Sequence, residues 1–367
     1  MNVKKSDEKF MYRCLELAKL GIRNVAPNPM VGSVIVNSGK IIGEGYHHKF
    51  GEAHAEAIAI NSIKDESLLR RATLFVNLEP CSHHGKTPPC TDLIIKKKIK
   101  EVVIGCRDSS SKMKGMGIEK FKKAGCNVRV GILNIESREL NRRFFTFHEK
   151  KRPFIILKWA QTLDGFMDMI RSKDNPVEPT WITNDLAKAL AHKWRTEEQS
   201  ILVGTNTAEK DNPKLNVREW SGNQPLRIVL DRTLRLPGNL YLFDKSIPTL
   251  VFTEKHVDST NNLEYKKINF NDNILKQILD ELYRRQIQSV IVEGGAQLLN
   301  SFININLWDE VRVFVGNKYF SKGIKSPNLK AKFIYEEMIG DNKLFVYRNN
   351  LAAEHSPACG STQGLNC

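Results

Sequence analysis

The sequence predicts an α/β protein made of two modules. Its 367 residues suggest two domains or one large one. Segments typical of strands alternate with segments typical of helices, and this alternation begins again after a charged stretch that closes on Pro153. Such an alternation favours sheets covered by helices, with mostly parallel strands.

The elements of the first module follow from local patterns. Apolar residues at helical spacing predict a helix over 6–20. Two segments joined by an Asn-Ser-Gly turn predict a hairpin of 31–36 and 39–46. The same reasoning predicts helices over 54–63, 88–99 and 117–126, and strands over 72–80, 101–106 and 127–133. We expect this module to end near residue 145, and the segment 142–153 to be a junction.

The second module has its own alternation. A strand over 154–160 precedes a helix over 184–197, for which Asn184 is the expected N-cap. Further strands are predicted over 200–205, 226–231, 249–253, 289–295 and 310–316, and an amphipathic helix over 273–286. The domain boundaries we expect are 1–148 and 149–351. The segment 352–367 has no apolar periodicity and is predicted to be a disordered tail.

Composition and charge narrow the class of protein. There is no run of about 18 apolar residues and no signal-peptide pattern at the N-terminus, which favours a cytoplasmic enzyme. The net charge of +15 suits nucleic acid, anionic lipid or phosphorylated small molecules, but equally a lysine-rich solvated surface. The seven cysteines are odd in number, so metal binding or free thiols are expected rather than disulfides.

Four residues in two short stretches suggest a metal site. His54 and Glu56 lie in GEAHAEAIAI, while Cys81 and Cys90 lie in EPCSHHGKTPPC. One imidazole and two thiolates would leave a fourth zinc position open for water, and a carboxylate two residues after the histidine could move that water's proton. His-x-Glu with a later Pro-Cys and a second cysteine is the signature of zinc nucleobase deaminases.

The spacing of the cysteines leaves alternatives open. The commonest deaminase form has two residues between them, whereas eight separate Cys81 from Cys90. A structural zinc with His83 or His84 as fourth ligand is the main competing hypothesis. Two free cysteines near an ordinary histidine remain a third interpretation.

The second module contains SVIVEGGAQLLNSFI, which reads as a strand, a Gly-Gly turn and a helix. Glycine allows backbone amides to approach a ligand, and a helix N-terminus favours anions. No Gly-x-Gly-x-x-Gly motif is present, so a standard Rossmann phosphate loop is not indicated.

Longer motifs carry a resemblance to a known family. APNPMVGSVIV, GYHHKFGEAHAE and LEPCSHHGKTPPC closely resemble the deaminase domain of the bifunctional riboflavin-biosynthesis deaminase/reductase. The resemblance implies a cytidine-deaminase-like three-layer α/β/α domain. It also implies zinc on His54, Cys81 and Cys90, with Glu56 as the catalytic proton shuttle. The implied substrate-binding residues are Asn28, His47, His83, Lys86 and Thr87.

The second module resembles the reductase domain of the same family. LKWAQTLDG, WITN, HKWRTEEQSILVGTNTAEKDNPKLNVR and VEGGAQLL occur in the family's order. The resemblance implies a dihydrofolate-reductase-like α/β domain that uses NADPH. The implied cofactor-binding residues are Ala160, Trp181, Thr207, Asp211 and Gly295. The implied substrate-binding residues are Arg195, Leu215, Arg218, Glu293 and, as an additional candidate, Lys158.

The predicted function is therefore a zinc-dependent deamination of a phosphorylated diamino-pyrimidinone, followed by an NADPH-dependent reduction of its ribosyl group to ribityl. The expected partners are phosphorylated pyrimidine small molecules, without nucleic acid or membrane, and a homo-oligomer is left open. Two alternatives are a zinc deaminase acting on tRNA or a nucleoside, and a non-catalytic regulator that binds zinc and a nucleotide.

Overall fold

A computed structural model describes residues 3–83, 88–110, 115–170 and 180–349. The chain divides into two compact units. One contains Met1–Phe154 and Ile278–Gln288, and the other contains Ile155–Gln277 and Ser289–Cys367. The predicted boundary between 148 and 149 stays a prediction, and the tail 352–367 lies outside the described residues.

The N-terminal part of the chain alternates strands and helices as expected. Its elements are α1 (Val3–Lys19), β1 (Gly32–Asn37), β2 (Lys40–Tyr46), α2 (Ala55–Asn61), β3 (Thr73–Leu78), α3 (Cys90–Lys96), β4 (Glu101–Cys106), α4 (Met116–Lys123), β5 (Asn127–Val130), α5 (Asn134–Leu140) and α6 (Arg142–Lys150).

The five strands form one sheet in the order β2-β1-β3-β4-β5. Residues that alternate along β1 face different helices. Val34 and Val36 join a core with Phe10 and Met11 of α1, whereas Ile35 joins a core with Ala59 and Ile60 of α2. Because successive strand side chains point to opposite faces, the helices cover both sides of the sheet. This confirms the predicted three-layer α/β/α domain.

Two local predictions were wrong. The first sheet is not mostly parallel: β1 pairs antiparallel with both β2 and β3, and only β3, β4 and β5 run parallel to one another. The tight hairpin turn forces the first pairing to be antiparallel. The segment predicted as a junction forms α6, whose Phe144, Phe145 and Phe147 are buried. The charges around these aromatic residues concealed the buried face in the sequence.

Helix α2 lies unusually close to strand β2. A Cβ atom added at Gly45 would lie 2.5 Å from the carbonyl oxygen of Ala55, and one at Gly43 would lie 2.6 Å from that of Ala59. Both distances are well below van der Waals contact, so this packing requires glycine at both positions.

The remaining elements are β6 (Phe154–Thr162), β7 (Phe166–Asp168), α7 (Asp185–Glu197), β8 (Ser200–Val203), α8 (Thr205–Asp211), β9 (Leu226–Leu230), β10 (Thr249–Thr253), β11 (Leu263–Lys267), α9 (Ile274–Arg284), β12 (Ser289–Glu293), α10 (Ala296–Asn304), β13 (Glu310–Gly316), β14 (Ile324–Lys325), β15 (Lys332–Ile339) and β16 (Asn342–Arg348). Asn184 caps α7 as predicted, because its side-chain oxygen accepts a hydrogen bond from the Ala187 amide.

A nine-stranded sheet has the order β11-β10-β9-β8-β12-β6-β13-β16-β15. From β11 to β12 every neighbouring pair is parallel, so the carboxyl ends of these strands lie along one edge. In open α/β sheets this edge is where ligands bind. Within the described part of the chain, no helix is long and apolar enough to cross a membrane.

Candidate functional site

The three predicted metal ligands come together at one point in the first unit. His54 precedes α2, Cys81 follows β3 and Cys90 is the first residue of α3. The His54 Nδ1 atom lies 3.4 Å from the sulfur atom of each cysteine. All three donor atoms lie within 4.8 Å of one another, and Cys90 is buried.

These distances fit zinc. A tetrahedral zinc ion with ordinary Zn–N and Zn–S bonds holds nitrogen and sulfur ligands about 3.5 Å apart, close to the 3.4 Å observed. His83 does not join this group among the described residues, and its side chain is exposed. His84 lies outside the described residues. Three donors therefore meet, which is the number that leaves one zinc position for a reactant.

The polar environment of the cysteines favours a thiolate. Hydrogen bonding from Cys90, together with His54, lowers the pKa of Cys81 despite its burial. The hydrogen bond to Cys81 and burial raise the pKa of Cys90, and the hydrogen bond to Cys81 raises the pKa of His54. The backbone amide of Cys90 also donates to the Cys81 sulfur at 3.2 Å. Zinc requires deprotonated ligands, so binding it would release protons from this cluster.

Glu56 lies in the first turn of α2 beside this cluster. Its side chain is buried, and its carboxyl group is hydrogen-bonded to Cys90. Burial, followed by the negative charge of Cys81, raises the pKa of Glu56 to about 7. A carboxyl group in this environment can take up and return a proton near neutral pH.

Two of the predicted substrate-binding residues, Asn28 and His47, are hydrogen-bonded to each other. The Asn28 side-chain nitrogen lies 3.1 Å from His47 Nε2, and His47 Nδ1 lies 3.1 Å from the Ala53 carbonyl oxygen. An amide nitrogen can only donate and a carbonyl can only accept, so the imidazole carries its proton on Nδ1. Burial lowers the pKa of His47, which favours this neutral form. Lys86 and Thr87 lie outside the described residues.

Two buried asparagines that the sequence did not reveal hold the segment after Asn28. Asn141 accepts a hydrogen bond from the Met30 amide at 2.8 Å and donates to the Met30 carbonyl at 2.9 Å. Asn77 accepts from the Gly32 amide at 2.8 Å and donates to the Met30 carbonyl at 3.1 Å. The backbone that presents Asn28 is therefore fixed from two sides.

A second cluster, in the other unit, contains three of the predicted reductase residues. Glu293 Oε2 lies 2.8 Å from Arg195 Nη2 and 4.0 Å from Lys158 Nζ. Burial alone would raise the pKa of Glu293, but the charges of Arg195 and Lys158 lower it to about 2. Burial lowers the pKa of Lys158. One carboxylate thus balances two cations, and the cluster keeps a surplus of positive charge.

The predicted ligands Leu215 and Arg218 lie on a segment that this cluster helps to hold. Arg195 Nη1 donates to the Asn216 carbonyl at 3.1 Å, and the Arg218 amide donates to His192 Nδ1 at 3.2 Å. Leu215 is buried and has a φ of 48°. The side chain of Arg218 is 37% exposed, so its guanidinium can reach a ligand. His192 was missed in the sequence, although it lies one turn before Arg195 on the same helix.

Three of the predicted cofactor-binding residues line a cavity of about 910 Å³: Thr207, Asp211 and Gly295. Neither Ala160 nor Trp181 is among the described residues that line it. Ala160 is half-buried in β6. Trp181 is 52% exposed, with Lys188 Nζ 5.1 Å from its ring centre, so it does not serve as a core residue. Gly294 and Gly295 have φ values of 82° and 66° at the end of β12, which explains the glycine pair.

Comparison with known proteins matches the two parts of the chain separately. Residues 4–106 match the family model described as cytidine and deoxycytidylate deaminase zinc-binding region. Residues 153–322 match the model described as RibD C-terminal domain. The zinc-binding region includes His54, Glu56, Cys81 and Cys90.

Relatives match over nearly the whole length. The riboflavin biosynthesis protein RibD of Aquifex aeolicus is 39% identical over 92% of this chain and 94% of its own. The Escherichia coli protein is 32% identical over 85% of this chain and 88% of its own.

Among solved structures, a diaminohydroxyphosphoribosylaminopyrimidine deaminase/5-amino-6-(5-phosphoribosylamino)uracil reductase from Thermotoga maritima matches with a TM-score of 0.86 and 39% identity. The match covers 95% of this chain and 100% of that one. RibD of Acinetobacter baumannii matches with a TM-score of 0.83 and 30% identity, over 94% of this chain and 99% of that one. The chain therefore belongs to the RibD family of riboflavin biosynthesis proteins, and joins a zinc-binding deaminase region to a RibD reductase domain.

Proposed function

We propose that this chain catalyses two consecutive reactions of riboflavin biosynthesis. The first is the hydrolytic deamination of a diamino-pyrimidinone that carries a phosphoribosylamino group. The second is the NADPH-dependent reduction of the ribosyl group of the product to a ribityl chain. The observation that carries the proposal is the meeting of His54, Cys81 and Cys90 beside the buried Glu56, in a chain that also has the reductase domain.

In the deaminase, His54, Cys81 and Cys90 would hold zinc. When bound, zinc supplies a Lewis acid that makes water a good nucleophile near neutral pH. Glu56 takes one proton from the attacking water and passes it to the ring nitrogen. It then takes the second proton of the same oxygen, now bonded to the ring carbon, and passes it to the departing amino group, which leaves as ammonia. The burial of Glu56 keeps bulk water from competing for these protons.

The pyrimidine would be bound by Asn28, His47, His83, Lys86 and Thr87. His47 accepts the Asn28 amide proton and so orients that side chain. The other polar atoms of the Asn28 amide can then pair with the edge of a pyrimidine. The buried Asn77 and Asn141 support this orientation through the Met30 backbone.

In the reductase, NADPH supplies a hydride when bound. Ala160, Trp181, Thr207, Asp211 and Gly295 would contact the cofactor. Lys158, Arg195, Leu215, Arg218 and Glu293 would contact the substrate. Arg218 is suited to the substrate phosphate because its forked donors are partly exposed. Glu293 sets the position of Arg195 through their ion pair.

A coupled assay on the purified full-length chain tests both reactions. The diamino-pyrimidinone phosphate is supplied with NADPH, and ammonia and NADPH oxidation are recorded separately. We expect both signals, with ammonia first. Ammonia without NADPH oxidation would remove the reductase from the proposal, and deamination of RNA but not of the pyrimidine phosphate would overturn it.

The proposal includes a cytoplasmic location, substrates that are small phosphorylated pyrimidines, and no role for nucleic acid. The boundary between the domains is placed at 148 and 149. These elements rest on the sequence.

A further inference from the structure

A glutamine that follows helix α9 contacts the deaminase segment that contains Asn28. Gln288 lies within 153–322, the part of the chain that matches the RibD C-terminal domain, but the segment Ile278–Gln288 belongs to the first compact unit. We propose that Gln288 is a positioning residue for deamination, which holds the Pro27–Asn28 peptide group so that the Asn28 side chain meets the pyrimidine. The inference rests on the proposed role of Asn28 in substrate binding.

The contact joins two residues that are 261 positions apart in the sequence. The side-chain nitrogen Nε2 of Gln288 donates a hydrogen bond to the Pro27 carbonyl oxygen at 2.6 Å, and Gln288 is 4% exposed. This carbonyl belongs to the same peptide group as the Asn28 amide, which donates to the Val25 carbonyl at 2.8 Å. Both polar atoms of the peptide group before Asn28 therefore have a partner.

The Gln288 contact adds to the support of Asn28 from the other direction. After Asn28, the Asn141 side chain holds the Met30 backbone, and His47 lies 3.1 Å from the Asn28 side-chain nitrogen. Asn28 itself is only half-buried, so a ligand can reach its amide. Contacts that order a binding residue before the substrate arrives lower the entropy cost of binding.

Gln288 is itself held in a fixed place. Its carbonyl oxygen accepts a hydrogen bond from the Phe154 amide at 2.8 Å. In helix α9, the ring of Tyr283 lies 4.6 Å from the ring of the buried Phe147. The residue after Gln288, Ser289, begins strand β12. A side chain that extends from rigid elements on both sides can fix the position of its partner.

A competing interpretation is that Gln288 contributes only to packing. Methionine has a similar length and an unbranched, adaptable shape but no donor, so Gln288→Met should be silent if packing alone matters. Glutamate also has a similar size, but its ionised carboxylate can only accept and would face the Pro27 carbonyl oxygen. The two variants therefore separate the hydrogen bond from the packing.

Steady-state ammonia release by the full-length chain measures the effect on deamination. For Gln288→Met, we expect the KM of the diamino-pyrimidinone phosphate to rise about fivefold, the effect of losing one hydrogen bond, while kcat stays within about twofold. Gln288→Glu should raise the KM further. Zinc content, and NADPH oxidation with the deaminated intermediate, should stay as in the wild type.

Gln277→Met is the matched control. Gln277 also lies on α9 and donates from Nε2 to a backbone carbonyl, that of Asn269 at 2.8 Å, but it belongs to the second unit. This variant should leave the KM of deamination unchanged. An equal rise in KM for both methionine variants, an unchanged KM for Gln288→Met, or an equal loss of ammonia release and NADPH oxidation would overturn the inference.

A double variant tests whether Gln288 acts through Asn28. Asn28→Ala should itself raise the KM of deamination. Adding Gln288→Met should raise it no further, because the side chain that Gln288 positions is already absent. Multiplied increases in KM would show that Gln288 acts elsewhere and would overturn the inference.

Hydrogen–deuterium exchange follows the segment without any reaction. Backbone amides in 24–30 should exchange faster in Gln288→Met than in the wild type, and Gln277→Met should not differ from the wild type. Faster exchange in a chain that releases no ammonia would sustain the positioning by Gln288 and refute the proposed deamination. Unchanged exchange in Gln288→Met would overturn the inference.

Discussion

Arg195 and Glu293 form a nearly solvent-free ion pair, with 2.8 Å between Nη2 and Oε2 and only 11% of each side chain exposed. The pair joins helix α7 to the end of strand β12. Lys158 on strand β6 lies 4.0 Å from the same carboxylate oxygen. Three elements of the reductase unit therefore depend on one carboxylate for their charge balance.

Replacing Glu293 by alanine should destabilise the reductase unit strongly. The change leaves Arg195 and Lys158 buried without their shared counter-charge, which costs about 3–5 kcal/mol when one partner of a buried pair is removed. Chemical denaturation measures the loss. The double variant Arg195→Met with Glu293→Leu should recover part of the lost unfolding free energy. Equal stability of Glu293→Ala and wild type would show that the ion pair makes no net contribution to stability.

Replacing Cys81 by serine should reduce zinc content and stop ammonia release. The hydroxyl of serine is a far poorer zinc ligand than a thiolate, and only two donors would remain. Atomic absorption on the purified chain measures bound zinc. The matched control is Cys126→Ser, whose buried thiol donates to the Ile99 carbonyl and does not belong to the cluster of His54, Cys81 and Cys90. Loss of zinc from both variants to the same extent would argue against a specific role for Cys81.

Replacing Glu56 by glutamine should abolish ammonia release while zinc content stays near one per chain. Glutamine keeps the size of the side chain but cannot take up the proton of water. Loss of a proton-transfer group of this kind costs about 10²–10⁴-fold in rate. NADPH oxidation with the deaminated intermediate should be unaffected. Unchanged ammonia release would remove Glu56 from the mechanism.

His192 should make the reductase unit less stable at acid pH. Burial, together with the charges of Arg195 and Arg218, lowers its pKa from 6.5 to about 3. The charge of Lys188 also lowers this pKa, whereas the charge of Glu293 raises it. Below pH 6.5 the unfolded chain binds a proton that the folded chain does not. Stability should therefore fall as the pH decreases from 6.5 towards 3, by up to about 1.4 kcal/mol per pH unit.

Asparagine at position 192 provides the comparison. Its side-chain oxygen can accept the Arg218 amide proton without titrating. The unfolding free energy of both proteins is measured from about pH 7 to pH 5. As the pH falls, the wild type should lose stability relative to His192→Asn. Parallel pH profiles for the two proteins would show that His192 is protonated equally in both states.

Replacing Asn141 by alanine should raise the KM of deamination more than it lowers kcat. The Met30 amide and carbonyl lose partners at 2.8 and 2.9 Å, and the segment that presents Asn28 loosens. An unsatisfied buried polar group costs about 1–3 kcal/mol. Steady-state ammonia release measures the effect. Zinc content should not change, and a loss of zinc equal to the loss of activity would show a general collapse of the domain instead.

Local sequence patterns predict much of the fold and the members of the zinc cluster. The turn between β1 and β2 and the Asn184 cap each depend on a few neighbouring residues, so local sequence patterns predict them. The same holds for His54 and the two cysteines, which lie in short, dense motifs. Local patterns failed at α6, where Phe144, Phe145 and Phe147 are surrounded by charged residues.

The rest depends on contacts between distant parts of the chain. Asn141 reaches Met30 across 111 residues, and Arg195 reaches Glu293 across 98. Thr207 and Gly295 line the same cavity only because β8 and β12 are neighbours, an order that no local pattern encodes. Buried hydrogen bonds and strand order are properties of the packed molecule, so a single sequence does not display them.

The close approach of α2 to β2 at Gly43 and Gly45 limits how the deaminase centre can evolve. His54 and Glu56 lie at the beginning of the helix that rests on these two glycines, so the glycines set the depth at which both side chains project. Any larger residue at either position would lift the helix and displace a metal ligand and a proton carrier together. A saturation library of the chain selected for deamination should therefore tolerate glycine alone at these positions.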